Sequence, residues 1–273
     1  MTAPPRLVIF DCDGVLIDSE VIANRILAEC LFADGFGASL DEVMGIGLGK
    51  NEKSLRLAIE AEFGRKLPGD FMTAMRTAVM QAFTAELRAI VGIEQVVAGL
   101  RIPFCVASNS HIDRVRHALR VTGLLDFFGD RIFTAGMVAH GKPAPDLFLF
   151  AAAQCGVPPA QCLVIEDGLG GVAAAKAAGI EVVGFCGGSH CPAGHREALL
   201  AAGCSRVFDR AAEIGEFLGE VRQMRVAPQP PCHPRESGGP EAGEEAGCPG
   251  FPLRGNDDVK IETGLRAARE DEA

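Results

Sequence analysis

The chain has 273 residues, 48% of them apolar, a formal net charge of −10, and no Trp or Tyr. The length is more than one compact unit needs, so a main domain with an insertion or a tail is expected, and the apolar share is ample for a buried core. The acidic balance, the absence of a Lys/Arg cluster and the missing stacking aromatics exclude a nucleic-acid surface, but not a small phosphorylated metabolite, which needs only a local cation and one or two lysines.

No apolar run approaches the eighteen or so residues of a membrane span, and Met1 to Pro5 lack the basic-then-apolar pattern of a secretory leader. A cytoplasmic protein without membrane partners is expected, monomeric by default. The ten cysteines form no C-x-x-C pair, and several, such as Cys105 and Cys162, sit in apolar blocks where the thiol behaves as a small hydrophobe. Cys186, His190, Cys191 and His195 cluster in the sequence but match no structural zinc spacing, so reduced thiols are the expectation.

In chain order, a short apolar run at Leu7–Phe10 reads as a strand that stops abruptly at DCDG. From 19 to 88 the pattern is helical, with VIANRILAECLFADG and SLRLAIEAEFG ending in glycine stops and FMTAMRTAVMQAFTAELRAI apolar at three- and four-residue intervals. Beyond it, strand-like blocks (PFCVAS, RIFTAG, CLVIED, EVVGFC, SRVFD) alternate with helices at about 111–121, 146–155, 170–178 and 195–202. Blocks too apolar to alternate, separated by helices, predict parallel strands covered on both faces. The expected fold is α/β: a doubly wound, Rossmann-like parallel-sheet core (1–18 and 89–220) with an all-helical cap (19–88) inserted after the first strand. Residues 221–273, rich in Pro, Gly and Glu and poor in aliphatics, predict a disordered tail resembling translated repeat DNA, with a short helix possible near 259–270.

In an open parallel sheet, reacting groups gather at the carboxyl ends of the strands. Hydrolysis of a phosphate monoester needs a metal to screen charge, a nucleophile and a proton donor, so acids and phosphate binders are expected just after the strand blocks. They occur there four times: Asp11 and Asp13, with Gly14 allowing a tight turn; Ser108 and Asn109; Lys142 in HGKPAPDLF; and Glu166 and Asp167 before GLGG. Taken singly, each has a plainer reading: turn or cap acids, a strand-end serine, a solvated lysine. Ser110 reads as the N-cap of the next helix, and Asp18 and Glu20 as hinge or helix-start residues.

DCDGVLIDSE, VASNS, GKPAPD and VIEDGLGGVAAAKAAG, in that order over about residues 6–210, resemble the haloacid dehalogenase-like superfamily. More narrowly, the chain is similar to the helical-cap branch that includes β-phosphoglucomutase and sugar-phosphate phosphatases. The resemblance implies Asp11 as a nucleophile forming an aspartyl-phosphate, and Asp13 as the acid and then the base, protonated when substrate arrives. It implies Mg²⁺ on Asp11, the Asp13 carbonyl and Asp167, with Glu166 inside or beside that set, and phosphate held by Ser108, Asn109 and Lys142. Lys50, in the cap loop GIGLGKNEK, aligns roughly with a residue that grips a second anionic group; a surface lysine beside a helix start is the equal alternative.

Gly168 stands where this branch usually has Ser, which puts support of the metal shell in doubt. The first cap helix carries Ala23 and Asn24 and no His, which favours hydrolysis over a β-phosphoglucomutase-type mutase. Sugar or sugar-acid phosphates are the expected substrates. A non-catalytic phosphate-binding relative would be expected to have lost Asp11 or Asp13.

Overall fold

The computed structural model describes residues 4–47 and 50–223. Six strands, β1 (Leu7–Phe10), β2 (Phe104–Ser108), β3 (Ile132–Thr134), β4 (Cys162–Glu166), β5 (Glu181–Phe185) and β6 (Val207–Phe208), form one sheet. Its order is β3-β2-β1-β4-β5-β6, and every neighbouring pair is parallel.

The fully buried strand β1 shows why its apolar run does not alternate. Val8 and Phe10 belong to one apolar cluster and Leu7 and Ile9 to the other, so both faces of the strand are covered. On one side Phe10, Phe104 and Phe128 meet edge to face, with centroids 5.2–6.3 Å apart. On the other, Leu147, Phe148 and Ala151 of α8 (Asp146–Gln154) pack with Val172 and Ala175 of α9 (Leu169–Ala177).

Between β1 and β2 come α1 (Glu20–Ala33), α2 (Leu40–Gly47), α3 (Glu52–Phe63), α4 (Phe71–Glu86) and α5 (Ile93–Gly99). The chain leaves and re-enters the sheet layer through two segments that lie side by side. Asp18 N donates to Arg88 O (3.0 Å), Ile90 N donates to Leu16 O (3.0 Å), and Ile17 bridges Ala89 antiparallel. Helix α4 packs on α1 and, across this junction, on α6 (Ile112–Val121). The remaining helices are α7 (Leu125–Phe128), α10 (His195–Ala202) and α11 (Ala211–Gln223).

Helix α11 runs three residues past the expected core limit at 220; from residue 224 on, the tail reading, including the helix near 259–270, lies outside the described residues. Among those residues no helix is long and apolar enough to cross a membrane, and the eight described cysteines are free thiols.

Candidate active site

The strand order reverses beside β1: the chain builds outward through β2 and β3 on one side and through β4, β5 and β6 on the other. A crevice forms at such a switch point, at the carboxyl ends of the strands. All eight residues singled out from the sequence, Asp11, Asp13, Lys50, Ser108, Asn109, Lys142, Glu166 and Asp167, line one cavity there of about 610 Å³. Cap-side residues of α1, α3 and α4, among them Asn24, Leu55 and Val79, complete its wall.

Asp11 directly follows β1, Glu166 ends β4, which pairs with β1, and Asp167 directly follows it. Oxygens of these three buried carboxylates lie within 4.8 Å of one another. Lys142 Nζ donates to Asp11 Oδ1 at 2.6 Å and to Glu166 Oε1 at 2.5 Å, and the three side chains are nearly sealed from solvent. Burial pushes the Asp11 and Glu166 carboxyls up, and Lys142 offsets only part of this. Burial disfavours the Lys142 ammonium, but Asp11 and Glu166 outweigh it and raise its pKa. An excess of converging oxygen donors over compensating cations suits a hard divalent ion, so the cluster fits a metal such as Mg²⁺.

Two glycines make this convergence possible. Gly14, at φ +79°, turns the chain under the cluster, and a Cβ there would lie 1.9 Å from Asp167 Oδ2. A Cβ at Gly171 would lie 1.8 Å from Glu166 Oε1. Gly168, the departure from the branch pattern, donates its N–H to Glu166 Oε2 at 2.9 Å, so the backbone holds the carboxylate that Lys142 engages from the other oxygen.

Asp13 faces away from the cluster. Its Oδ1 accepts from Ser19 Oγ (2.6 Å) and Arg114 Nη2 (2.7 Å), and its Oδ2 from Ser110 Oγ (2.7 Å) and Ser108 Oγ (3.3 Å). Burial acts to raise its pKa, but Arg114 with the Ser19 and Ser110 hydroxyls outweighs it and lowers it. These partners favour the carboxylate form of Asp13, whereas the resemblance implies an acid that is protonated when substrate arrives. Ser110 is not the helix cap: His111 takes that place, its Nδ1 accepting from Asp113 N at 3.3 Å, and the Ser110 hydroxyl goes to Asp13.

The Asn109 amide holds Lys142 by both backbone groups, Nδ2 donating to Lys142 O (2.9 Å) and Oδ1 accepting from Lys142 N (2.8 Å). The Lys142–Pro143 peptide in this loop is cis. Lys50 is exposed at the cap side of the cavity, beside Asn51, the N-cap of α3.

Sequence reasoning missed Arg114, Ser19 and Asn24, which carry no local signature. Of the cysteine–histidine group, His190 Nε2 meets Asp167 Oδ2 at 2.8 Å and His195 Nε2 is 2.6 Å from Asp167 O. Burial would depress the His190 imidazolium, yet Asp167 and Cys191 push it up to about 11. These histidines flank the carboxylate cluster, and no separate cysteine–histidine metal group occurs among the described residues.

Known proteins resemble this chain in sequence and in fold. Residues 5–179 match the family model for haloacid dehalogenase-like hydrolases. The 6-phosphogluconate phosphatase of Escherichia coli is 32% identical over 186 residues, 67% of this chain and 83% of that protein. Fructose-1-phosphate phosphatase YqaB of the same organism is 30% identical over 177 residues, 64% of this chain and 93% of that one. Among solved structures, a HAD family hydrolase from Deinococcus radiodurans with bound phosphate and sodium is 34% identical, with TM-score 0.64 over 81% of this chain and 97% of its own. CbbY from Rhodobacter sphaeroides in complex with xylulose-(1,5)bisphosphate is 25% identical, with TM-score 0.63 over 77% and 96%.

The chain belongs to the haloacid dehalogenase-like hydrolase family. Within it, this is an enzyme of the phosphoric monoester hydrolase class.

Proposed function

We propose that the protein is a Mg²⁺-dependent phosphatase of small sugar or sugar-acid phosphates, acting through an aspartyl-phosphate on Asp11. The observation that carries this is the convergence of Asp11, Glu166 and Asp167 with Lys142 Nζ bound between two of them. Relatives named as 6-phosphogluconate and fructose-1-phosphate phosphatases support the substrate class.

Asp11 attacks phosphorus through a carboxylate oxygen, the ester oxygen departs, and water then cleaves the acyl phosphate. Asp11, the Asp13 carbonyl and Asp167, with Glu166, would hold Mg²⁺, which would supply charge neutralisation for the phosphoryl oxygens. Lys142 lowers the repulsion between anionic nucleophile and anionic ester, and Asn109 fixes its backbone. Ser108 supplies a hydroxyl at the mouth of β2. To act as acid, Asp13 takes up a proton and turns from Arg114 toward the ester oxygen; it then receives a proton from the attacking water. Helices within 19–88 form the cap that excludes water over this centre, with the paired segments at Ile17 and Ala89 as its hinge. Hydrolysis is favoured over mutase chemistry because the α1 face of the cavity presents Glu20, Ala23, Asn24 and Leu27, with no His to align a second substrate hydroxyl.

The test is phosphate release from p-nitrophenyl phosphate and a panel of sugar phosphates with and without Mg²⁺. Asp11→Asn is expected to lose at least ~10³-fold in kcat while keeping its circular dichroism spectrum. Undiminished turnover in EDTA would refute the metal role. Conversion of β-glucose 1-phosphate to glucose 6-phosphate without free phosphate, given a trace of bisphosphate, would establish the mutase instead.

A further inference from the structure

Phosphoryl transfer uses Arg114 only as a partner that Asp13 leaves when it acts as the acid. The arginine occupies the first turn of α6, on the core side, yet its guanidinium carbon lies 5.3 Å from the centre of the Phe83 ring on α4, in the cap. Arg114 lines the cavity and reaches Asp13 at 2.7 Å, the carboxyl that the proposed mechanism turns toward the ester oxygen, so it stands on the leaving-group side of the reaction centre.

The guanidinium is under-used. Among the described residues its hydrogen bond is from Nη2 to Asp13 Oδ1, and Nε is buried with no hydrogen-bond partner. Asp13 has hydroxyl donors from Ser19, Ser110 and Ser108 besides Arg114, so it keeps hydrogen-bond support if the guanidinium turns to another anion. Burying a charged fork beside the apolar side chains of Leu55, Met75 and Val79 is costly unless a second anion completes it. Arg114 and Lys50 both line the main cavity and a small adjoining one of about 30 Å³. The third cation of that annex, Arg76, is already paired with Glu52 at 2.8 and 3.1 Å. Lys50 and Arg114 are therefore the two cations shared by the main cavity and its annex.

Building on the phosphatase reading, we propose that Arg114 is a specificity-determining residue that binds a carboxylate on the leaving group, so that the enzyme selects phosphorylated sugar acids over neutral sugar phosphates. A planar carboxylate matches the planar fork edge to edge, which an ammonium or a hydroxyl does not. The cavity, about 610 Å³ in volume and lined by both Asp11 and Arg114, has room for a six-carbon ester. Glu20 and Asn24 on α1 line the same cavity and offer hydrogen-bonding groups to the hydroxyls of such a chain.

The decisive pair is 6-phosphogluconate and glucitol 6-phosphate, which differ only in a carboxylate or a hydroxymethyl at the far end. Wild-type enzyme is expected to favour the acid by at least about tenfold in kcat/KM. In Arg114→Gln this ratio is expected to fall to near one, with Arg114→Lys keeping an intermediate value. Free gluconate is expected to inhibit p-nitrophenyl phosphate turnover at roughly tenfold lower concentration than glucitol; this uses wild-type protein alone and decides the matter if the glutamine variant does not fold. Equal kcat/KM for the two esters, or a ratio unchanged in Arg114→Gln, would overturn the assignment while p-nitrophenyl phosphate turnover leaves the phosphatase reading standing. No release from any ester would overturn both.

Discussion

Gly171 sits under the Glu166 carboxylate with no room for a methyl, because a Cβ there would be 1.8 Å from Oε1. Gly171→Ala must therefore push Glu166 away from Lys142. A displacement of this size is expected to lower kcat/KM by about 10²-fold and the folding free energy by about 1–3 kcal/mol, read from steady-state kinetics and a urea titration. Glu20 gives a pH signature. Burial, with the Asp13 charge adding to it, pushes its carboxyl from 4.5 up to about 7. An acid whose folded pKa exceeds its unfolded value binds more protons when folded across that interval, so its contribution to stability falls as pH rises from about 4.5 to 7. Glu20→Gln is expected to remove about 1–3 kcal/mol of this pH-dependent loss, seen as a flatter unfolding free energy between pH 5 and 7. Identical profiles for the two proteins would show that Glu20 ionises normally. At this scale the acids and Ser108 were legible because they stand at the ends of apolar blocks, and Lys142 because it lies in the loop that follows one. Arg114 was not, because a basic residue in the first turn of a helix looks like any solvated one.

Helices α1, α3 and α4 were legible because each is long enough to display its period and two of them end in glycine stops. The seven-residue α5 and four-residue α7 are too short for a period to show. The helix cap at Ser110 illustrates the limit of local rules. Ser is a good cap in isolation, but a buried Asp13 carboxylate competes for its hydroxyl, and His111 caps instead. The α4–α6 contact joins the inserted helices to the core. Phe83, fully buried, packs into the core from the cap and carries Arg114 on its face. Phe83→Ala is expected to cost about 3–5 kcal/mol, visible as a lower urea midpoint.

For the molecule as a whole, three clustered carboxylates are a liability that a bound cation removes. Saturating Mg²⁺, at 100 times its dissociation constant, is expected to stabilise the fold by about 2.7 kcal/mol, and Asp167→Asn to abolish most of the accompanying rise in Tm. Deleting the residues after Gln223 is expected to leave turnover and Tm nearly unchanged, since their composition lacks the aliphatic residues a core needs; a large loss would show that they support the enzyme. The sequence by itself determined the parallel α/β core, the helical insertion after the first strand and the acids at the strand ends, because each is written in a short-range pattern of apolar blocks, periods and stops. Only the tertiary structure decided that Asp13 turns toward Ser19 and Arg114, that Asn109 serves the Lys142 backbone and that two histidines flank Asp167. Those choices are made by partners 6 to 101 residues away along the chain, and a buried polar group takes whichever partner the packed fold brings within reach.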